Sequence, residues 1–282
     1  MKKHKICKIL LVILAIFLCV AFYELLGICV AYKKQPEVSN TTKKETKNGS
    51  WNECSENTER AVIIEKNPEA LLQRVRLIKN AKKEIILSTF AFQSDESGKL
   101  ILGALHDAAD RGVHIRLLVD GMESWIDMEG NPYFYGLSSH ENVEIKLYNK
   151  ANPLKPWKMM GRMHDKYLIA DGKRYILGGR NTYNYFLGDF PGHKNYDRDV
   201  LVVCDEPEKE NSVNQLSEYF ETIWNQEDSG YFHNNKKLAN RKSVKNAVLE
   251  LQNSYQKYFE ENKERICETD YTDETFETEK IT

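Results

Sequence analysis

The N-terminus of this chain contains an apolar run long enough to cross a lipid bilayer as a helix. From Ile9 to Tyr32 the only charged residue is Glu24, and a run of this length spans roughly 30 Å of hydrocarbon. A cleaved signal peptide is the alternative, but the run exceeds a typical signal core and no clear small-x-small cleavage site follows it. We therefore predict a single-pass anchor in the cell membrane over residues 1–34. Lysines flank both ends of the run, so charge leaves open which side of the membrane the rest of the chain occupies.

Beyond the anchor the composition is that of an ordinary globular protein. Hydrophobic residues make up 41% of the chain and charged residues 29%, which excludes a disordered chain and a membrane protein with many spans. The 40 basic and 42 acidic side chains give a net charge of −2, so any contact with nucleic acid or anionic lipid must come from a local cluster. The six cysteines show no metal-ligand spacing, and we predict no metal site.

A polar linker and an α/β domain are expected after the anchor. Residues 35–60 have almost no apolar periodicity, which is typical of a tether. Residues 61–230 alternate strand-like and helical runs, and the segment from Glu84 to Val119 has the strand, helix, strand order of a βαβ unit. We therefore predict an α/β domain with a mixed central sheet flanked by helices. The expected strands are 84–92, 113–119, 143–148, 167–170, 175–177 and 200–203, and the expected helices are 68–78, 100–111 and 212–224.

Residues 231–282 are expected to form a polar helical segment and an acidic tail. The helical pattern from Asn234 to Arg265 mixes basic residues with glutamates, which indicates a solvated helix or linker, or else a surface that meets anionic headgroups. The tail from Cys267 to Thr282 has no apolar element that would complete a fold. We interpret the segment as a disordered tail or as a cut linker to a second half.

The segment MHDKYLIADGKRYILGGRN, from Met163 to Asn181, carries the chemistry. Residues i and i+2 of a strand share a face, so His164 and Lys166 at a strand start would project toward one point. A neutral imidazole can attack phosphorus while an ammonium and the amide of Asn181 hold the phosphate oxygens. Gly179 lets the backbone approach a ligand closely. This pattern predicts a phosphate site.

The loop before this segment holds a second cluster of cations. Lys155, Lys158 and Arg162 stand there with Trp157 between them. They would either steer an anionic phosphodiester toward the site or form an ordinary solvated loop.

The run HDKYLIAD with GGRN downstream resembles the HKD motif of the phospholipase D (PLD) superfamily. The upstream run TFAFQSDESGKLILGALHDAADRGVHIRLLVDG resembles the first strand, helix and strand of its bacterial cardiolipin synthase-like branch. The resemblance covers about residues 61 to 224. It is specific for the superfamily but not for the substrate, because the superfamily includes phospholipases, phosphatidyltransferases and nucleases.

The resemblance implies roles for individual residues of the motif. His164 would be the nucleophile that forms a phosphohistidine, and Lys166 and Asn181 would bind the phosphate. Asp171, the last residue of the motif, would face away from the phosphate and hold the fold.

The family also uses an acidic residue at the start of a later strand to orient the histidine. Asp199 is the candidate for that role here, and Asp197 is the alternative. Two departures from the family pattern stand out: Gly179 replaces the usual serine, and no second HKD motif occurs in the chain.

The sequence therefore predicts a membrane-anchored, PLD-like phosphodiesterase or phosphatidyltransferase that acts on anionic phospholipid without a metal or cofactor. Protonation of the leaving alkoxide needs a second imidazole, so a second HKD half is expected from a second copy of the chain or from sequence beyond Thr282. One alternative is a dimeric PLD-fold nuclease, against which the anchor and the near-neutral charge argue. The other is a catalytically silent, membrane-tethered module that binds phosphate.

Overall fold

The computed structural model describes residues 2–33, 40, 43–44, 59–158, 160–207, 211–233 and 236–277. The linker expected at 35–60 lies almost entirely outside these described residues. The described part of the chain divides into two units. The N-terminal unit consists of the first helix and the loop Ala151–Arg162, and the main unit contains all the strands and the remaining helices.

The N-terminal unit is built around one long helix, α1 (Lys2–Lys33). Within the described residues, only its segment His4–Lys33 is long and apolar enough to cross a membrane, with a mean hydropathy of 2.9. Its large side chains, such as Phe17, are exposed rather than packed in a core. The helix is consistent with the predicted anchor. The loop of the same unit contains one 3₁₀ turn, Pro156–Lys158.

The main unit is built on a mixed sheet whose nine described strands run in the order β8-β4-β3-β2-β5-β6-β7-β1-β9. The central strands β2, β3 and β4 are parallel to one another, and the other pairs are antiparallel. The strands are β1 (Glu59–Ile64), β2 (Glu84–Thr89), β3 (His114–Asp120), β4 (Val143–Tyr148), β5 (Lys166–Ala170), β6 (Arg174–Gly178), β7 (Asp199–Cys204), β8 (Ser229–Tyr231) and β9 (Phe276–Glu277).

Helices cover both faces of this sheet. The helices are α2 (Asn67–Asn80), α3 (Glu96–Asp110), α4 (Gly121–Asp127), α5 (Pro132–Ser138), α6 (Ser212–Trp224), α7 (Lys236–Ala239), α8 (Lys242–Glu261) and α9 (Lys263–Cys267). The larger core packs α2, α3, α5 and α8 against one face, and α6 packs Phe220 and Trp224 against the other. Because both faces are covered, β2 is buried at five consecutive positions, from Ile85 to Thr89, rather than at alternate ones. The predicted α/β fold with a mixed sheet flanked by helices is confirmed.

Strand β2 ends earlier than the sequence predicts, at Thr89 rather than Phe92. After Thr89 the chain leaves β2 and pairs with the residues that follow β6: the Thr182 N–H donates to the Ala91 carbonyl over 3.0 Å, and Phe92 bridges Thr182. The change of partner brings the segment after β2 next to Asn181.

The C-terminal region differs from the sequence expectation of a solvated segment and an unfolded tail. Helix α8 buries a stripe at helical spacing that includes Leu251, Tyr255 and Phe259. It approaches α3 so closely that a Cβ on Gly103 would lie 2.7 Å from the Leu251 carbonyl oxygen. Tyr271 is also buried, and β9 pairs with β1. The described part of this region therefore belongs to the core of the main unit.

Candidate active site

The predicted site residues other than Asp171 lie at the edge of the sheet where the parallel strands end. Lys166 is the first residue of β5 and pairs with Thr89, the last residue of β2. His164 precedes β5 by two residues and is exposed. In open α/β sheets ligands bind at the carboxyl ends of the parallel strands, so the sheet presents His164 where a ligand can reach it.

The structure brings His164 and Lys166 into direct contact. The Lys166 Nζ donates to the His164 Nδ1 over 3.1 Å and to the His164 carbonyl over 2.8 Å. Lys166 is only 5% exposed, and this burial lowers the pKa of its ammonium, while Asp165 and Asp197 act in the opposite direction. The pair places an imidazole and an ammonium at one point.

The contact with Lys166 also sets the tautomer of the imidazole. A charged lysine can only donate, so Nδ1 of the neutral ring accepts and Nε2 carries the proton. For Nε2 to attack, the ring proton would have to be on Nδ1. A carboxylate would then have to accept a hydrogen bond from the Nδ1–H group. The described contacts of His164 show no carboxylate at that position.

Phe90 completes the immediate surroundings of this pair. Its ring centroid lies 4.6 Å from that of His164 in an edge arrangement, and the Lys166 Nζ lies 5.4 Å from the centroid of the same ring. An aromatic face beside the ammonium stabilises the cation and restricts the imidazole. Phe90 was not singled out from the sequence; it falls within the expected strand 84–92 and directly follows Thr89, which pairs with Lys166.

Asn181 is held in place by the segment that follows β2. Its Oδ1 accepts from the Ala91 N–H over 3.2 Å, and the side chain is almost fully buried. Because Oδ1 is already engaged, the NH₂ of Asn181 is the group left to donate to a phosphate oxygen.

Gly179 lies against the carboxylate of Asp197. A Cβ at Gly179 would come within 2.0 Å of the Asp197 Oδ2, so a serine here would have to displace that carboxylate. The glycine therefore makes room for an acid whose charge acts on Lys166.

Asp199 occupies a buried ionic cluster. Its Oδ2 binds Arg74 NH1 at 2.8 Å and Arg180 NH1 at 3.2 Å, and its side chain has no exposed surface. Burial lowers the pKa of Arg180, against the effect of Asp199. The Oδ1 of Asp199 is buried and has no hydrogen-bond partner among the described residues. The two arginines hold the carboxylate while one of its oxygens stays available.

Asp171 lies at the far end of β5 from Lys166. It adopts a positive φ of 56° and its carboxylate accepts from the backbone N–H groups of Lys82, Lys83 and Glu84, at distances between 2.7 and 3.1 Å. These bonds tie the turn after β5 to the connection between α2 and β2. Its described contacts are those of a structural residue.

Asp165, an acid next to His164 in the chain, was not singled out from the sequence. Tyr219 on α6 donates to the Asp165 Oδ2 over 2.9 Å. Burial raises the pKa of Asp165, and burial together with the Asp165 charge raises the pKa of Tyr219 to about 12. The contact fixes the backbone between His164 and Lys166 against α6. The only sequence signal was its position within the motif.

The remaining histidines of the main unit serve local contacts. His106 and His140 share Asp110, His114 contacts Glu84 and Glu144, His233 contacts Glu129, and His193 packs on Tyr185. The described residues contain no group of three or more His, Cys, Asp or Glu side chains suited to a metal ion.

Comparison with known proteins gives concordant matches. A family profile described as "Cardiolipin synthase, PLD-like domain" matches residues 74–224. The chain is 30% identical over 212 residues to an uncharacterised protein of Helicobacter pylori strain J99, covering 70% of this chain and 39% of that protein. It is 30% identical over 154 residues to cardiolipin synthase C of Escherichia coli strain K12, covering 50% of this chain and 31% of that protein. The chain thus spans less than half the length of these relatives.

Among solved structures, phosphatidylserine synthase of Haemophilus influenzae superposes with a TM-score of 0.51 at 17% identity. The match covers 78% of this chain and 48% of that one. At this level of identity the similarity concerns the fold alone.

Proposed function

This chain belongs to the cardiolipin synthase-type, PLD-like domain family, and on that premise we propose that it is a membrane-anchored enzyme that cleaves or transfers the phosphodiester of a phospholipid through a phosphohistidine. Membership of the PLD superfamily implies an enzyme that acts on phosphodiesters. The observation that carries the proposal is the contact between the exposed His164 and Lys166 at the open edge of the sheet.

In the proposed reaction, His164 attacks phosphorus with a ring nitrogen and forms an N–P bond while the bond to the leaving alcohol breaks. Lys166 and the NH₂ of Asn181 hold the non-bridging oxygens and offset the charge that develops on them. A second nucleophile, either water or a lipid hydroxyl, then displaces the histidine. Water gives phosphatidic acid, whereas a lipid hydroxyl gives a new phosphodiester.

The attacking nitrogen needs the ring proton on the other nitrogen, so an acid must accept a hydrogen bond there. Asp199 is our first candidate because its Oδ1 is buried and unpaired among the described residues. The Asp197 carboxylate, which lies over Gly179, is the alternative. Binding of a phosphodiester would draw the Lys166 ammonium from Nδ1 to the phosphate and free the imidazole to reorient.

The leaving alkoxide needs a proton from the side opposite the nucleophile, and His164 cannot act on both sides of one phosphate. We propose that His164 of a second copy of the chain supplies it. Phospholipid is the favoured substrate over nucleic acid, because α1 is consistent with a membrane anchor and the net charge of −2 provides no general attraction to a polyanion.

The test uses the full chain reconstituted in vesicles that contain phosphatidylglycerol labelled in the phosphate. We expect phosphatidic acid or cardiolipin to form, and protein quenched in alkaline detergent, where the N–P bond is stable, to retain label on histidine. His164→Ala should abolish both signals. The matched control is His193→Ala, which removes an exposed histidine outside the motif and should leave both signals intact. Undiminished turnover by His164→Ala would refute the assignment.

A further inference from the structure

We propose that the loop Ala151–Arg162, which directly precedes Met163 and His164, is a lipid-contacting segment that inserts at the boundary between the headgroups and the acyl chains of the bilayer crossed by α1. The inference rests on the proposed membrane anchor. It assigns to the loop a partner of defined chemistry, the surface of a phospholipid bilayer.

The first argument is the contact between this loop and the apolar helix. The Tyr23 hydroxyl of α1 donates to the Leu154 carbonyl over 2.9 Å. Pro156 packs so closely on Gly27 that a Cβ there would lie 2.4 Å from the Pro156 Cγ. The absence of a side chain at Gly27 creates the place on α1 that the proline fills. The loop is therefore seated on the same helix that is expected to be in lipid.

The position of these contacts along α1 gives the depth of the loop. At about 1.5 Å per residue, Gly27 and Tyr23 lie roughly 8 and 14 Å along the helix axis from Tyr32, where the apolar run ends. The apolar run is slightly longer than the roughly 30 Å hydrocarbon core. If α1 spans the bilayer with this run centred, Gly27 lies about 5 Å and Tyr23 about 11 Å inside the hydrocarbon core. Pro156 and the adjacent Trp157 then lie near the boundary between acyl chains and headgroups, and Leu154 lies deeper, among the acyl chains.

The second argument is the chemistry of the loop side chains that face outward. Leu154 is 76% exposed, Met160 54% and Trp157 45%. Exposed apolar side chains of this size are unfavourable in water, and a tryptophan with one apolar and one polar end favours the membrane interface. In a bilayer the same three side chains would be buried among lipid, which is favourable.

The third argument is charge. Lys155, Lys158 and Arg162 lie among these apolar residues, and the described loop carries no acidic residue. Cations close to an anionic leaflet are attracted to its negative surface potential. The loop thus combines apolar side chains that insert into lipid with cations that attract anionic headgroups. Contact with a bilayer surface accounts for both kinds of side chain.

The experiment measures tryptophan fluorescence of the full chain in vesicles of phosphatidylcholine and phosphatidylglycerol that contain a brominated lipid. All proteins carry His164→Ala, so that lipid is not consumed and the result does not depend on catalysis. Flotation of the vesicles on a density gradient first establishes that the chain is membrane bound. The bromine atoms lie either near the headgroup end or near the methyl end of the acyl chain, which reports depth.

We expect bromine near the headgroup end to quench the fluorescence most strongly, and Trp157→Phe to remove that quenching. Trp125→Phe, which replaces an exposed tryptophan of the main unit, is the matched control and should retain it. Quenching that is unchanged in Trp157→Phe, or that is strongest at the methyl end, would overturn the proposal. A chain that does not float would refute the anchor and with it this proposal, whereas the vesicle assay above tests the role of His164 separately.

Discussion

Asp199 and Asp197 are two residues apart but differ in their surroundings. Asp199 balances Arg74 and Arg180 in the core, whereas Asp197 is partly exposed beside Gly179. We expect Asp199→Asn to lower the free energy of unfolding by about 3–5 kcal/mol, because it leaves buried arginines without a countercharge. Asp197→Asn, the matched control, should change it by less than about 0.5 kcal/mol. Urea unfolding of the full chain in detergent measures both, and equal effects would contradict the burial described here.

The charge of Lys166 gives a prediction for the pH dependence of activity. Burial lowers the pKa of Lys166 below its ordinary value of 10.5, so the lysine loses its charge at a lower pH than a solvated lysine. The same shift means that the charged, buried lysine destabilises the fold below its pKa, and that this cost disappears as the pH rises toward 10.5. We therefore expect kcat/KM to decline on the alkaline side before pH 10.5 is reached.

Asp197 raises the pKa of Lys166, so Asp197→Asn should move this alkaline decline to lower pH. Lys155→Gln, which removes an exposed lysine outside the motif, serves as the control and should not move it. A decline at or above pH 10.5 in the unmodified chain would show that the phosphate site does not depend on the burial of Lys166.

The contact between His164 and Lys166 could be predicted from the sequence because it follows from strand alternation over two residues. The other site contacts join residues far apart in the chain. Arg74 lies on α2 and Phe90 after β2, and their positions beside Asp199 and His164 depend on the order of strands in the sheet. Local patterns contain no information about that order, so the arginine pair and Phe90 became visible only in the structure.

Helix α8 provides a matched pair of leucines on opposite faces. Leu251 is fully buried in the larger core, whereas Leu249 is 58% exposed. We expect Leu251→Ala to lower the free energy of unfolding by about 2–5 kcal/mol through lost burial and a cavity, and Leu249→Ala by less than about 0.5 kcal/mol. Urea unfolding in detergent measures the difference. Similar small effects would mean that α8 is the solvated helix expected from its composition.

The sequence expectation for α8 was wrong in its packing because the mean polarity of the segment concealed a narrow apolar stripe. Val244, Ala247, Leu251, Tyr255 and Phe259 recur at three- and four-residue spacing, but charged residues surround them.

Short strands were missed for a different reason. The three residues of β8 and the two of β9 are too few to show alternation, and neighbouring strands determine their conformation. Longer elements such as β4 and α6 were predicted with their observed bounds.

At the scale of the whole molecule, a shared site between two copies makes activity depend on both partners. If each site needs His164 from two chains, a chain carrying His164→Ala inactivates the partner it pairs with. Co-expression of equal amounts of the two chains should then leave about a quarter of the activity of a fully unmodified population, because pairing is random. Independent chains would retain about half. Co-expression with His193→Ala is the control and should cause no loss.

Strand β1 pairs with β7 on one side and with β9 on the other, and both partners are made much later during synthesis. β1 therefore stays unpaired while more than a hundred further residues are synthesised. Contacts between residues so far apart in the chain also form slowly once both partners are present. If α1 anchors the chain as proposed, it enters the bilayer during this interval, so the unpaired strand lies close to a membrane surface. Substitutions that weaken β9 or that remove the buried side chain of Tyr271 should therefore reduce the yield of folded protein by prolonging this stage, even where the folded protein keeps its activity.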